Sequence, residues 1–244
     1  MPRYKCEIAY DGSSFCGWQI QPNGLSIQQC IMDAFQTFLR RDIVIHGAGR
    51  TDAGVHAKGQ VAHMDLIDMY DPQALLNSVN ALLPKSIRIF SIQVVPDNFH
   101  ARFSAKGKIY HYLITQNAVC SPFTFPYRCH IKQRVSIDLI KQATQYFIGT
   151  HDFTSFTNIG SFVKNCVRTI DRIDVLEDEE GFRLEFEGNG FLYKMIRNIV
   201  GTLLAIGSEQ YSPDHIKEIL CKKDRKAACK AAQAQGLYLM KVLY

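Results

Sequence analysis

The 244-residue chain lacks several patterns that would assign it to a common class of protein. No two of its eight cysteines are spaced as Cys-x-x-Cys, which argues against a zinc ribbon or a thioredoxin-type motif. No secretory leader is visible, so we expect reduced thiols in a cytoplasmic protein. The longest apolar stretch, residues 191–206, contains Lys194 and Arg197 and is too short and too charged to span a membrane.

The glycine-rich loop at residues 47–56, GAGRTDAGVH, lacks the spacing of the known phosphate-binding loops. A dinucleotide-binding fingerprint needs Gly-x-Gly-x-x-Gly at the start of a helix, whereas the apolar runs beside this loop predict strands. A P-loop needs Gly-Lys-Ser/Thr after its four-residue gap, and here Gly-Val-His follows. What remains is a carboxylate, Asp52, displayed by a tight loop beside Arg50. The alternative is a glycine-rich turn with a solvated Arg–Asp pair.

The charge and the composition of the chain exclude few classes of protein. Hydrophobic residues make up 47% of the chain and charged residues 21%, as expected for a soluble globular protein. The net charge of +5 is compatible with binding to nucleic acid but does not demand it. A basic cluster near the C-terminus is either a solvated helix face or a surface that binds along the backbone of a polyanion. Its members are Lys222, Lys223, Arg225, Lys226 and Lys230.

Hydrophobic periodicity predicts two halves, residues 1–100 and residues 101–244, with the same order of elements, β-α-β-β-α-β. In the first half, strands are expected at 4–10, on both sides of the glycine-rich loop and at 87–95, with helices that begin at Ser26 and at Asp71. We therefore predict an α+β fold of two ferredoxin-like halves joined around a largely antiparallel sheet, with an active-site cleft between them.

The second half is predicted to repeat that order. Strands are expected at 108–115 and 237–243, and residues 168–187 are expected to form a hairpin with an acidic turn. Helices are expected at 136–148, at 191–207 and after Ser212-Pro213. The alanine content of residues 225–235 predicts one more helix.

Asp52 is the strongest catalytic candidate, because an ionised carboxylate can act as a nucleophile, a base or a metal ligand. A metal ion would need further ligands, and His56 and His63 lie nearby in the sequence. No second carboxylate and no His-x-x-x-His spacing supports them, so we predict no metal site. His56 is then expected to close the loop by hydrogen bonding.

Two further features carry cations. Residues 99–110, which include Arg102, interleave basic and aromatic side chains; this composition suits nucleic acid, because cations contact phosphates and aromatic rings stack on bases. The alternative is a linker with solvated cations and aromatic rings in the core. Arg197 lies in the middle of an apolar helix, where it either reaches solvent or faces inward toward an acid such as Asp52.

Six segments, in the same order along nearly the whole chain, resemble the bacterial tRNA pseudouridine synthases of the TruA family. The GRTDAGVH run at 49–56 is highly specific among them. The others are 10–12 with 17–19, 99–103, 151–153 with Phe156, 195–201, and 236–239.

The resemblance implies isomerisation of uridine to pseudouridine at positions 38, 39 and 40 of the tRNA anticodon stem-loop, without a cofactor or metal, by a homodimer in which each tRNA contacts both subunits. It implies that Asp52 is the catalytic aspartate, that Tyr110 stacks on the target base and that Arg197 pairs with the aspartate. Arg50 would contact RNA during base extrusion, and Leu237 would lie near an apolar wall of the site.

One segment departs from the family pattern. Residues 192–194 read Leu-Tyr-Lys, where relatives often carry histidine before the Met-x-Arg-Asn core; this change is expected to affect contacts with RNA. The sequence does not choose between a covalent and a glycal-type route for Asp52. The competing interpretations are a non-catalytic RNA-binding module and a metal-dependent nuclease.

Overall fold

The computed structural model describes residues 1–22, 24–158 and 165–244 and divides into two compact units. Unit 1 comprises Met1–Lys106 together with Tyr238–Tyr244, and unit 2 comprises Gly107–Leu237. The described residues form five α-helices and strands that pair mostly in antiparallel fashion. The predicted α+β class with largely antiparallel pairing is therefore confirmed.

Unit 1 contains four main strands and one short strand. The main strands are β1 (Arg3–Tyr10), β3 (His56–Asp65), β4 (Ile87–Val95) and β10 (Leu237–Leu243), and the short strand is β2 (His46–Gly47). They follow the order β4-β1-β3-β10, and β2 pairs with β3. All of these pairs are antiparallel except β3 with β10, which is parallel. Two helices, α1 (Ile27–Leu39) and α2 (Pro72–Leu82), complete the unit, and α2 packs on β4.

The sequence pattern explains these elements. Alternate residues of β1 from Tyr4 to Tyr10 are buried, as predicted. The Ser26 hydroxyl accepts a hydrogen bond at 3.2 Å from an amide in the first turn of α1, and the Asp71 carboxylate accepts one at 2.9 Å at the start of α2. Both predicted caps thus satisfy an amide that the helix itself leaves unpaired.

Unit 2 also contains four main strands. They are β5 (Gly107–Thr115), β7 (Gly149–Asp152), β8 (Val167–Asp178) and β9 (Gly181–Gly188). All three pairs in the order β5-β9-β8-β7 are antiparallel, and the short β6 (Cys129–His130) is parallel to β5. The helices are α3 (Ile137–Thr144), α4 (Met195–Gly207) and α5 (His215–Lys222), and α3 packs on α4 and on β8.

The boundaries in unit 2 differ from the prediction in several places. The β8–β9 hairpin with its acidic turn is confirmed, whereas β6 and β7, of two and four residues, were not predicted. Helix α4 begins at Met195 and not at residue 191, and Lys194 before it has a left-handed backbone with a φ of 59°. In the described ranges no helix has the length and apolar character needed to cross a membrane.

The alanine-rich helix predicted at residues 225–235 does not form, so that prediction is wrong. Two 3-10 turns, Arg225–Ala227 and Ala234–Gly236, are joined by residues 228–233, which have no regular structure. We call residues 225–236 the connector. Its backbone bonds to other parts of unit 2; the Ala232 amide, for example, donates to a carbonyl of α4 at 2.9 Å. Tertiary hydrogen bonds thus override the local helix propensity, which is a weak preference.

Candidate active site

The glycine-rich loop (residues 47–56) lies between β2 and β3 of unit 1 and fixes Asp52 through the backbone. Asp52 forms an isolated β-bridge with Gly17 and is half-buried. The Trp18 amide donates to the Thr51 carbonyl at 3.1 Å, and the Val55 amide donates to the Asp52 carbonyl at 3.1 Å. The loop therefore presents its carboxylate from a backbone that is bonded on both sides.

Two glycines outside the loop make this close approach possible. Gly17 has a φ of +108°, and a Cβ atom there would lie 2.5 Å from the Thr51 carbonyl oxygen. A Cβ atom at Gly12 would lie 2.0 Å from the Val55 carbonyl oxygen. Because real Cβ atoms do not approach backbone oxygen so closely, residues 12–18 can lie against the loop only with glycine at these positions.

Buried polar side chains support the start of the loop. The Gln60 amide, on β3, donates to the Gly49 carbonyl at 2.9 Å, and the Tyr10 hydroxyl lies 2.8 Å from the Thr51 hydroxyl. Burial raises the pKa of Tyr10 to about 12, so its hydroxyl keeps its proton. Sequence reasoning missed Gln60, and the available signal was a glutamine directly before the apolar pair Val61-Ala62.

His56 closes the loop, as predicted. Its Nδ1 accepts a hydrogen bond from the Gly12 amide at 3.1 Å and lies 3.2 Å from a carboxylate oxygen of Asp11. The imidazole is 2% exposed and stacks on Tyr238 of β10 with 4.7 Å between ring centroids. In the part of the chain that the structure describes, no group of three or more His, Cys, Asp or Glu side chains is placed to hold a metal ion.

The basic and aromatic run after β4 begins with a turn from which Arg102 and Phe103 face solvent. His100 Nδ1 accepts hydrogen bonds from the backbone amides of Arg102 at 3.1 Å and Phe103 at 3.3 Å. Phe103 is 78% exposed, and the Arg102 guanidinium carbon lies 5.7 Å from its ring centroid. Arg50 of the loop is exposed as well. These three side chains are accessible on the surface of unit 1.

Three histidines connect this turn to the loop. His63 on β3 stacks on His46 at 5.1 Å and lies 4.5 Å from His100, and its Nδ1 accepts a hydrogen bond from the Ala101 amide at 3.2 Å. Burial, followed by repulsion from the charged forms of His100 and His46, lowers the pKa of His63 to about 4. His63 is therefore neutral at physiological pH and acts as a hydrogen-bond acceptor.

In unit 2, the structure places Tyr110 in the middle of β5. Its side chain is 7% exposed, and its ring meets the ring of Phe191 edge to face, at 5.3 Å between centroids and 80° between planes. Phe191 lies in the apolar segment before α4 and fixes the orientation of the tyrosine ring within this unit.

Arg197 lies in the first turn of α4 and is half-buried. Its Nε donates to the Ala232 carbonyl of the connector at 2.8 Å. The connector ends against β5, where a Cβ atom at Gly236 would lie 2.8 Å from the Leu113 carbonyl oxygen. Leu237, 7% exposed, follows directly. Sequence reasoning missed Ala232 because the connector was predicted to be a helix.

The basic cluster near the C-terminus is divided in the structure. Lys222, Lys223, Lys226 and Lys230 are exposed, and Lys223 forms an ion pair with Asp152 at 2.9 Å. Arg225 instead points inward, where Nη2 donates to the buried Asn198 amide oxygen at 2.8 Å. The cluster is therefore neither a helix face nor a single uniform surface.

The candidate residues thus fall into two groups. Asp52, Arg50 and Arg102 belong to unit 1, where the loop and the 100–104 turn are linked through the three histidines. Tyr110, Arg197 and Leu237 belong to unit 2, where the connector links α4 to β5.

Comparison with known proteins gives a consistent result along the chain. The sequence profile of a family described as tRNA pseudouridine synthase matches residues 8–104 and 143–244. A protein of Protochlamydia amoebophila named tRNA pseudouridine synthase A 1 is 48% identical over 99% of this chain and 96% of its own length. Proteins named tRNA pseudouridine synthase A from Chlamydia felis and Streptococcus thermophilus are 42% and 44% identical over 100% of this chain, and over 92% and 100% of their own lengths.

The glycine at position 17 provides the first test. We expect Gly17→Ala to destabilise the protein by roughly 1–3 kcal/mol, because the residue would keep a positive φ and its Cβ would press on the Thr51 carbonyl. Amide hydrogen exchange should accelerate in residues 49–56. Gly24→Ala is the matched control, since its Cβ would meet Cys16 at an ordinary 3.5 Å. Equal stability and equal exchange in both variants would contradict the steric account.

The second test concerns acid stability. The pKa of His63 is about 4 in the folded protein, below the value near 6.5 of the unfolded chain, so the unfolded state binds the proton first as pH falls. The free energy of unfolding should therefore drop between about pH 6.5 and pH 4, by up to a few kcal/mol. In urea titrations His63→Gln should show a flatter profile over this range. Parallel profiles for the two proteins would disprove the contribution of His63.

Proposed function

Because the chain belongs to the tRNA pseudouridine synthase family, we propose that it isomerises uridine to pseudouridine in tRNA. The observation that carries the proposal is likeness to tRNA pseudouridine synthase A proteins along the full chain, including the loop that displays Asp52. We propose that the substrate positions are 38, 39 and 40 of the anticodon stem-loop and that the enzyme acts as a cytoplasmic homodimer.

The reaction breaks the bond between N1 of the base and C1′ of the ribose, turns the base and rejoins it through C5. No electron is gained or lost and no group enters, so the proposal requires neither a cofactor nor a metal. Asp52 begins the reaction in ionised form, either by attacking C1′ or by removing a proton from the sugar. The bonds from the Trp18 amide to Thr51 and from the Val55 amide to Asp52 support a fixed direction of attack.

Two further residues, both in unit 2, have proposed roles in the reaction. Extruding the uridine from its stack costs a few kcal/mol. Stacking of the extruded uridine on Tyr110 offsets about 1–3 kcal/mol of this cost. The edge contact with Phe191 supports the proposal that the tyrosine ring is already oriented for stacking. We also propose that Arg197 pairs with Asp52 and fixes the direction of its carboxylate.

The exposed cations have a separate proposed role. Arg50 and Arg102 bind the RNA backbone, Arg50 during extrusion of the base, and their exposure on unit 1 supports this assignment. Leu237 contributes an apolar wall. The description of residues 1–100 and 101–244 as ferredoxin-like halves is also part of the proposal, and the β-α-β-β-α-β order of unit 1 supports it.

The decisive experiment compares Asp52→Asn with the native protein. Unmodified tRNA carrying C5-tritiated uridine is incubated with each protein, tritium release is measured and pseudouridine is mapped. We expect native protein to modify positions 38–40 and Asp52→Asn to lose at least about 100-fold in rate, because the amide cannot act as a nucleophile or base. Asp33→Asn, which changes an exposed carboxylate on α1, is the matched control and should retain full activity.

Each alternative function gives a different result in the same experiment. Binding of tRNA without pseudouridine would indicate an RNA-binding module, and cleaved tRNA that disappears on addition of chelator would indicate a nuclease. Substantial turnover by Asp52→Asn would exclude the proposed role of the loop.

Substitutions at Tyr110 separate stacking from hydroxyl chemistry. Tyr110→Phe keeps the ring and its edge contact, so we expect it to retain tRNA affinity, whereas Tyr110→Ala should lose about 1–3 kcal/mol of binding. Filter binding measures affinity, and thermal unfolding checks that the alanine variant is folded. If both variants bind tRNA equally and lose activity equally, stacking is not the role of this residue.

A further inference from the structure

The connector lies along one side of α4, and the contact involves four helix residues spaced as neighbours on one face. These residues are Arg197, Asn198, Gly201 and Thr202, which form two i, i+4 pairs. The Thr202 hydroxyl, for example, accepts a hydrogen bond from the Cys229 amide at 3.3 Å. The connector therefore follows the helix in a fixed register.

Arg197 and Ala232 exchange a reciprocal pair of hydrogen bonds. The Ala232 amide donates to the Arg197 carbonyl at 2.9 Å, and Arg197 Nε donates to the Ala232 carbonyl at 2.8 Å. Ala232 of the connector thus bonds to both the backbone and the side chain of Arg197, and it orients the side chain relative to the helix. With Nε bonded to the connector, Nη1 and Nη2 carry the other donors of the guanidinium.

The approach of the connector to α4 depends on a glycine one turn further along the helix. A Cβ atom at Gly201 would lie 1.9 Å from the Lys230 carbonyl oxygen and 3.0 Å from the carbonyl carbon. Any larger residue would push the connector away from the helix. The distance from Arg197 to Ala232 is therefore set by backbone contact and not by adjustable side chains.

Arg225 anchors the first end of the connector. Its guanidinium donates to three acceptors: the Asn158 side-chain oxygen at 3.2 Å, the Asn198 side-chain oxygen at 2.8 Å and the Ala228 carbonyl at 3.0 Å. Asn198 is fully buried and donates in turn to the Phe156 carbonyl at 2.7 Å. A planar guanidinium can satisfy three acceptors at once, which a lysine cannot do in this geometry.

The second end of the connector is bonded to β5. The Tyr112 hydroxyl donates to the Gln233 carbonyl at 2.7 Å, next to the residue that contacts Arg197. Burial raises the pKa of Tyr112 well above its usual value, so the hydroxyl remains a donor. The segment that contacts Arg197 is thus fixed on both sides.

We propose that Arg225 is a positioning residue, which aims the Arg197 guanidinium by anchoring the connector that bonds to its Nε. This inference rests on the proposed catalytic role of Arg197. It distinguishes Arg225 from the neighbouring exposed lysines, which are accessible to a polyanion. The Arg225 guanidinium instead donates to acceptors inside unit 2.

The kinetic test uses Arg225→Gln. We expect the single-turnover rate at saturating tRNA to fall by roughly 10- to 100-fold, because small misplacements of a catalytic group have effects of this size, while the Kd for tRNA stays unchanged. Lys217→Gln, which removes one exposed positive charge from α5, is the matched control and should change neither quantity. A weaker Kd with a native rate for Arg225→Gln would mean that Arg225 binds phosphate, and would overturn the proposal.

A double-mutant cycle with Arg197→Lys tests whether Arg225 acts through Arg197. Lysine lacks the Nε donor, so Arg225→Gln should slow this variant far less than it slows the native enzyme. The same loss in both backgrounds would overturn the proposal. If Arg197→Gln alone, which removes the charge, retains the native rate, the catalytic role of Arg197 fails instead, and the two failures are thereby distinguished.

A structural measurement tests the connector independently of activity. In arginine-labelled protein, the Nε–H signal of Arg197 should be protected from exchange in the native chain and should shift and lose protection in Arg225→Gln. Gly201→Ala is a second variant that displaces the connector directly and should have the same effect. Thermal unfolding confirms that each variant is folded. An unchanged Arg197 signal in both folded variants would overturn the proposal.

Discussion

The constraint on which unit 1 depends is the direct contact of backbone with backbone around the glycine-rich loop. The carbonyl groups of Thr51 and Val55 occupy the space where side chains at Gly17 and Gly12 would lie. Residues 52–54, which begin with Asp52, lie between these two carbonyls in sequence and consequently have little freedom to move. A hydrogen bond donated by Gln60 and one that the His56 imidazole accepts from the Gly12 amide then secure the two ends of the loop. The Asp52 carboxylate is thus placed by sterically enforced backbone geometry, which changes less with solvent or salt than a surface ion pair does.

Much of the local structure could be predicted from the sequence, because it depends on interactions between residues close in the chain. The caps at Ser26 and Asp71 and the alternation in β1 each need only a few neighbouring residues. The glycine-rich loop was recognised as a candidate site because three glycines and a carboxylate lie within ten residues. His56 was correctly expected to close it, although its partner Gly12 lies 44 residues away and could not have been identified by spacing.

The predictions that were wrong concern tertiary partners. Residues 225–235 have a local preference for helix, yet their backbone bonds to Arg197 and to the side chain of Thr202. The Arg225 side chain points inward because these tertiary bonds replace the helix. In the predicted helix it would have lain on a solvated face. No periodicity in the chain indicates that the backbone of Lys230 occupies the space where a side chain at Gly201 would lie. Sequence patterns describe what a segment prefers alone, whereas its final conformation depends on the donors and acceptors it meets.

The packing around the loop has one further consequence. Trp18 is the single tryptophan of the chain, it is 1% exposed, and its indole ring lies directly beneath Gly47, where a Cβ atom would be 2.5 Å from the indole nitrogen. Its amide also bonds to Thr51, next to Asp52. Tryptophan emission responds to the polarity and rigidity of its surroundings. The tryptophan emission of the protein therefore originates at the base of one loop, and it serves as a label-free optical reporter of the conformation of that loop when RNA binds.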